Sequence, residues 1–337
     1  MICKGEGAGC SPTVTPLPQP DPWAWQPPRP SRLQQPAVLI RLEGADTLRV
    51  LHGQTSQDLE RARSGQCLAT CCISPTGRLR ALAEVLVDGT GAWLLVSAGD
   101  GGTVHQALDR VLFPADQVVL GAPLPVSLFT LLDPPGPLLA PLGQWQPLGA
   151  AGGSGGFLLP GGRLVLPDEA PEPEALQTLP ALSAAEAERW RLQGGQPAAP
   201  GEINEEVNPF ELGLAARVSL SKGCYVGQET LAKLATYDGV KQQLRRWLCT
   251  PPAGGPVPLP GGSLHTAAGD RAGRITSCLE LPATAQQPAC WLGLALVRRQ
   301  ALAEACLRAE GGLELELSIP EAFVAPPVGA GGGAGKL

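Results

Sequence analysis

Aromatic side chains are scarce. The 337 residues include 5 Phe, 2 Tyr and 7 Trp, and methionine occurs once. A core must therefore be filled by aliphatic side chains, and 44% of the residues are apolar. Basic excess is also lacking: 25 Lys and Arg face 31 Asp and Glu, for a net charge of −6. That argues against a nucleic-acid-binding face, although a local basic patch is compatible with it. No apolar run reaches the roughly 18 residues of a membrane span. The ten cysteines contain no C-x-x-C pair. His52, His105 and His265 lie far apart and read as structural, so a sequence-local zinc site is not expected. No resident metal is expected, and the thiols fit a reducing compartment in which most are free and buried.

Glycine (43) and proline (36) are abundant instead, and they concentrate in a few stretches that punctuate the chain. Residues 1–34 are Pro-dense and read as an unstructured extension, either a remnant of a targeting segment or a plain tail. Order is expected from Val38, with a strand to Leu42 and a short helix through Leu48 and Leu51 that stops at Gly53. Strands follow at Cys67–Ile73, Leu79–Val87 and Ala92–Ser97, joined by the turns Ser74-Pro75-Thr76-Gly77 and Asp88-Gly89. A helix from Thr103 then presents Val104, Leu108, Val111 and Leu112.

Residues 121–175 carry strand-like pieces at 126–132, 157–159 and 163–166 and read as an irregular insert within a region spanning 35–242. Ser183 and Glu186 form a capping box, and Asn208-Pro209-x-Glu211 reads as a second helix start. From 243 to 325, short strands at Leu244–Cys249, Arg274–Leu279, Trp291–Val297 and Leu313–Ile319 alternate with Gly/Pro turns, the pattern of a small β-barrel or sandwich. Residues 326–337 read as a disordered tail. The fold class is α+β.

The most specific segment is Lys222-Gly223-Cys224-Tyr225-Val226-Gly227-Gln228-Glu229, followed by Leu231, Ala232, Leu234 and Ala235 at helical spacing. It predicts a tight turn that puts Cys224 at the positive end of a helix, beside a lysine, where the thiolate is favoured. The same residues allow other readings. Cys224 could be a small buried hydrophobe. Lys222 could hold an anion or be a solvated surface lysine. Tyr225 could wall a flat pocket or pack in the core. Glu229 suits a first helical turn.

This segment resembles the K-G-C-Y-x-G-Q-E signature of the YgfZ family, folate-binding paralogues of the glycine-cleavage T-protein that include organellar iron–sulfur assembly factors. Leu51-x-Gly53-Gln54-x-Ser56-Gln57-Asp58-Leu59, Ser74-Pro75-x-Gly77-Arg78, Arg191-Leu192-x-x-Gly195-x-Pro197 and Pro209-x-Glu211-x-Gly213-Leu214 resemble further family stretches in the same order. The resemblance runs from about Val38 to about Ala322. Thr236–Gln242 resembles the plastid-type branch.

The resemblance implies ferredoxin-like folate-binding domains that form a ring with a C-terminal β-barrel. It implies tetrahydrofolate as cofactor and Cys224 as the functional thiol, a transient iron ligand or redox relay, with Lys222 beside it. Glu211, Tyr225, Gln54, Asp58, Gly223, Gly227, Gln228 and Glu229 are the implied folate-site residues. The implied role is an accessory step in maturation of [4Fe–4S] proteins, with assembly or client proteins as partners. The implied compartment is the chloroplast stroma, or alternatively the mitochondrial matrix. A monomer is expected.

Departures bear on that picture. Ala81 and Leu82 stand where T-protein has its acidic pair, so a working aminomethyltransferase is not expected. Gln193 replaces a usual Glu, and Ser56-Gln57 replaces Thr-Asn. The alternatives are a folate-dependent one-carbon transferase or demethylase, and an interaction module that has lost folate.

Overall fold

The structure, a computed structural model, describes residues 21–134, 138–148, 155–252, 254–284 and 288–329. Strand β1 (Ser31–Glu43) is 13 residues long and organises the first layer. Its second half pairs antiparallel with β4 (Gly91–Gly99), from Val38↔Val96 to Glu43↔Gly91. Its first half pairs with β6 (Leu124–Leu132), from Ser31↔Leu132 to Leu39↔Leu124. Pro36 lies before Val38, the first residue of β1 paired with β4, and pairs with Ser127 of β6 only, so its missing N–H interrupts no ladder with β4.

Between β1 and β4 lie α1 (Thr47–Gln54), β2 (Cys67–Ile73) and β3 (Leu79–Val87). After β4 come α2 (Gly101–Asp109), whose first turn is capped by the Asp100 carboxylate, and the two-residue β5 (Val119–Leu120). Strands β7 (Gln146–Pro147), β8 (Phe157–Leu159) and β9 (Arg163–Pro167) complete a nine-stranded sheet of order β2-β3-β4-β1-β6-β9-β8-β7, with β5 also on β1.

Two expectations change here. The segment 121–175 is not an irregular insert: its three expected strand pieces form β6, β8 and β9, and these extend the main sheet through the long β1. The N-terminal extension is not unstructured up to residue 34. Pro22–Ala24 form a 3-10 turn, and β1 begins at Ser31. The cause is packing that composition does not register. The Arg246 guanidinium lies 4.7 Å over the Trp23 ring and that of Arg189 lies 4.9 Å over Trp25. Gln193 Nε2 donates to the carbonyls of Trp23 and Trp25. A carboxylate at position 193 would face those two carbonyl oxygens with no proton to offer. The Gln there is therefore matched to this segment. Residues 1–20 and 330–337, parts of the two expected disordered ends, lie outside the described residues.

Two further helices lead to the barrel, α3 (Glu174–Gln177) and α4 (Ala184–Gly194). The capping box forms as its spacing predicts: Glu186 N donates to Ser183 Oγ at 3.3 Å, and Ser183 N donates to Glu186 Oε2 at 2.8 Å. At 208–211 the same reciprocal bonds form without a helix. Asn208 Oδ1 accepts from Phe210 N and Glu211 N, and Glu211 Oε2 accepts from Asn208 N. The chain turns away at Gly213, whose φ of +74° and contact with Phe323 (2.3 Å from a Cβ placed there) leave no room for a side chain. Tertiary packing thus overrides a correct local signal.

After α5 (Gln228–Thr236), strands β10 (Gln242–Cys249), β11 (Ser263–His265), β12 (Arg271–Leu281), β13 (Cys290–Arg298), β14 (Cys306–Arg308) and β15 (Glu314–Ser318) close into a barrel of order β10-β13-β12-β11-β14-β15. Trp247 fills its interior, fully buried, with Nε1 donating to Leu294 O at 3.0 Å. A continuous core then joins sheet to barrel: Cys71 and Leu82 from the sheet, Phe210 and Tyr225 from the connecting segment, and Leu244 and Leu294 from the barrel. The Lys222–Glu229 segment therefore sits at a seam between two layers. Among the described residues no helix is long and apolar enough to cross a membrane.

Candidate functional site

Helix α1 buries Val50 and Leu51 and ends where Thr55 N and Thr55 Oγ both donate to Leu51 O. The chain beyond it leaves carbonyls without helical partners, and the 219–226 segment supplies them. Ser219 N donates to Ser56 O and Val226 N to Gly53 O, both at 2.9 Å. Lys222 Nζ donates to His52 O, to Thr55 O at 2.7 Å and to Gln57 O at 2.8 Å. The lysine is only 6% exposed, its ammonium lies 4.3 Å over the Tyr225 ring, and burial pulls its pKa down to about 8. All three N–H donors are committed. Lys222 is therefore neither a solvated surface residue nor free to hold an anion; it fastens the motif loop to the end of α1.

Cys224 is exposed. It does not sit in the first turn of the helix, because α5 starts at Gln228 behind the N-cap Gly227. Its neighbour Gly223 lies against α1, where a Cβ would come within 3.7 Å of His52 Nε2. Two other thiols are buried: Cys71 and Cys72 face opposite sides of β2, and burial pushes their pKa values up to about 11 and about 12. Short exposure to N-ethylmaleimide at neutral pH should label Cys224 and the exposed Cys306 well before Cys71 and Cys72. Peptide mass mapping checks the order.

The other motif residues divide between roles. Tyr225 packs in the core, with its hydroxyl donating to Ser219 O at 3.2 Å and its pKa raised to about 12 by burial. Gly227, at φ +76°, packs on the Ser74–Gly77 turn. Gln228 Nε2 donates to Lys222 O at 3.4 Å, an internal brace. Glu229 is exposed and pairs with Lys233 at 2.7 Å, one helical turn away. Ser56 is fully buried; its hydroxyl donates to Arg217 O and accepts from Cys71 N, so it ties α1 to the sheet.

Glu211 lies in a separate cleft of about 610 Å³ between the sheet's Arg78 turn and the rim of the barrel. Arg78, Lys241, Arg298 and Arg299 line it as cations, against the carboxylates of Glu206 and Glu211. The Glu211 side chain is nearly buried, with Arg78 Nη1 at 3.8 Å from Oε2. Burial raises its pKa, and the Asn208 N–H, Arg78, Gln242 and Lys241 pull the other way. One oxygen is held by the Asn208 N–H, so the carboxylate braces its loop while still facing a basic cleft. The cationic rim was not visible in the sequence, because its members come from three separate stretches.

Gln54 lines a smaller cavity of about 220 Å³, with Thr55, Cys72, Arg80, Arg110 and Val226 among its walls. Asp58 is at neither cleft; it stands 3.4 Å from His52 Nδ1. The expected folate residues are thus distributed over the cleft, the smaller cavity, the loop seam and the surface rather than gathered at one cavity.

The fold is that of the glycine-cleavage aminomethyltransferases. The structure of aminomethyltransferase T of the glycine cleavage system from Bartonella henselae superposes with a TM-score of 0.68, covering 89% of this chain and 88% of that one at 18% identity. Two curated proteins are similar in sequence. One, from Arabidopsis thaliana and described as a putative chloroplastic transferase, is 30% identical over 260 residues, 71% of this chain. This chain spans 59% of that relative's length. The other is an uncharacterized protein of Haemophilus influenzae, 26% identical over 211 residues, covering 61% of this chain and 68% of that protein. No family model matches the chain.

Proposed function

We propose that this protein is a folate-binding accessory factor of the YgfZ type, serving the maturation of [4Fe–4S] proteins rather than transferring aminomethyl groups. The observation that carries the folate part is the Glu211 cleft. A pterin edge offers two N–H donors to a carboxylate, and a glutamyl tail offers carboxylates to Lys241 and Arg298, both exposed at the rim. Against transfer chemistry stand Ala81 and Leu82. Both are buried, Ala81 in the apolar core behind the sheet and Leu82 in the core facing the barrel, so neither brings a charge to an amine. The chloroplast is the favoured compartment, on the likeness to the plant relative. Cys224, exposed on a braced loop, is the thiol for a cluster-related step. One thiolate is too few for a stable cluster, so other ligands come from a partner.

Tetrahydrofolate titrated by calorimetry should bind the wild type, and Glu211→Gln should bind about 10- to 100-fold more weakly, the loss of a charge-assisted bond. The pH dependence follows from the raised pKa. Where the free protein holds a proton on Glu211, binding must release it. Affinity should therefore rise from mildly acidic pH towards neutrality, and that rise should vanish in the Gln variant. Equal binding by both proteins would remove Glu211 from the site. For the cluster part, cells lacking this protein should recover [4Fe–4S] enzyme activities with wild type but not with Cys224→Ala. Equal recovery would make the thiol dispensable.

A further inference from the structure

The cavity of about 220 Å³ shares no lining residue with the Glu211 cleft. Its walls are largely apolar: Ile73 of β2, Leu94 of β4, Val104, Ala107 and Leu108 of α2, and Val226 of the motif loop. Helix α2 stops at Asp109, and Val111 beyond it lines the space rather than closing it. Apolar cavities of about 150 Å³ take up benzene, because such walls offer water no hydrogen bonds. This one has room for a ring with a short chain.

The polar side chains in the same walls have open donors. Arg110 is exposed, and among the described residues its guanidinium has neither a carboxylate nor a carbonyl partner. Arg80 donates through Nε to Glu205 Oε2 at 3.2 Å, and its terminal nitrogens have no partner among the described residues. Gln54 is half-buried, and its side-chain amide makes no hydrogen bond among the described residues. Arg78, Arg191 and Arg217, by contrast, all donate through terminal nitrogens to protein oxygens. An apolar hollow with two guanidinium groups beside it is complementary to a molecule with an apolar body and one anionic head. A carboxylate suits the planar guanidinium fork.

We propose that this cavity binds a small monocarboxylic acid with an apolar body of about six to nine carbons, its carboxylate held by Arg110 and Arg80 and its body against α2 and Val226. The site adjoins the motif: Val226 N donates to Gly53 O at 2.9 Å, and Gln54 is the next residue of α1. The occupant therefore rests against the loop that carries Cys224, on the side away from the Glu211 cleft. The inference does not depend on the folate reading.

The test is a titration of the full chain with hydrocinnamate, followed by ligand-observed NMR and by the urea midpoint. Wild type should bind saturably with a dissociation constant of about 1 mM or below. Saturation should raise the urea midpoint, as any ligand of the folded state does. Arg110→Gln should bind at least about tenfold more weakly. Its midpoint without ligand should be unchanged, because this side chain has no partner to lose. Ala107→Phe, which puts a ring into the hollow, should abolish binding while the protein still unfolds cooperatively. The neutral amide of the same acid, which keeps the body, should bind at least about tenfold more weakly, and so should acetate, which keeps only the head. Glu211→Gln should bind hydrocinnamate as wild type does, and tetrahydrofolate should not displace it, so this inference and the folate reading fail separately. No binding by wild type would overturn the proposal. So would equal affinities for the acid and its amide, undiminished binding by Arg110→Gln or by folded Ala107→Phe, or displacement by tetrahydrofolate.

Discussion

Lys222→Met is expected to destabilise the protein by about 2–5 kcal/mol, and a urea unfolding midpoint read at unchanged slope checks it. Methionine nearly matches the aliphatic stem, so little packing is lost. What is lost is the partner of three carbonyls. Thr55 O is fully buried and bears the whole cost of an unmet acceptor, while His52 O and Gln57 O are partly buried and recover some of it from water. The ammonium also leaves the face of Tyr225. Lys222→Arg should not rescue. Its donors are spread over a rigid plane, whereas three carbonyls here converge on a single nitrogen. A change below about 0.5 kcal/mol in the Met variant would mean that water serves all three carbonyls and that the loop is not held by this residue.

Gly227→Ala is the second large effect, about 2–4 kcal/mol by the same measurement. Gly227 adopts φ +76° and ψ −1°, a left-handed conformation that costs any other residue. Space is the greater difficulty. A Cβ would fall 2.6 Å from Ser74 O and 3.1 Å from both Gly77 N and Gly77 Cα. Those are backbone atoms of a tight turn, in which Gly77 N donates to Ser74 O, and they cannot swing aside as a side chain would. Relief must come from parting the two turns. That displaces Arg78 from the Glu211 cleft as well as the loop of Cys224, so tetrahydrofolate affinity should fall together with stability. Gly223→Ala is the control. Its φ is not left-handed, and its Cβ would meet only His52 Nε2 at an ordinary 3.7 Å, so a change within about 0.5 kcal/mol is expected.

Much of the fold was legible because its signals are local. Strands Cys67–Ile73 and Leu79–Val87 and the turn between them follow from two short, mostly apolar runs bounded by Pro75-Thr76-Gly77. The four barrel strands expected from residue 244 onward are present, and the two missed, β11 and β14, are three residues each, too short to carry a period. The helix from Thr103 starts two residues earlier and ends at Asp109, leaving Val111 outside it. Asn208-Pro209-x-Glu211 shows the opposite case, where cap bonds form as residue types dictate but the helix does not follow.

The site was less legible, and the reason is distance along the chain. The Lys222–Glu229 motif announced itself as a unit, but sequence could not say that its lysine points inward, because the three carbonyls that capture it lie about 165–170 residues away. Glu211 was found, whereas the cations around it were not: Arg78, Lys241 and Arg298 meet only when the barrel rim docks on the turn after β2. His52 was read as isolated, since nothing in its spacing to Asp58 distinguishes a loop that folds back from one that does not.

The sequence by itself determined the aliphatic core, the strand periods, the caps and the motif's glycines, all properties set by neighbours within a few residues. Tertiary structure alone decided that residues 121–175 join the main sheet, that Trp23 and Trp25 order the chain before β1, and that the motif loop is clamped to α1. It also decided that the expected folate residues part company. Those outcomes depend on which surfaces meet, and burial of a charge or a carbonyl is priced only once its remote partner is in place.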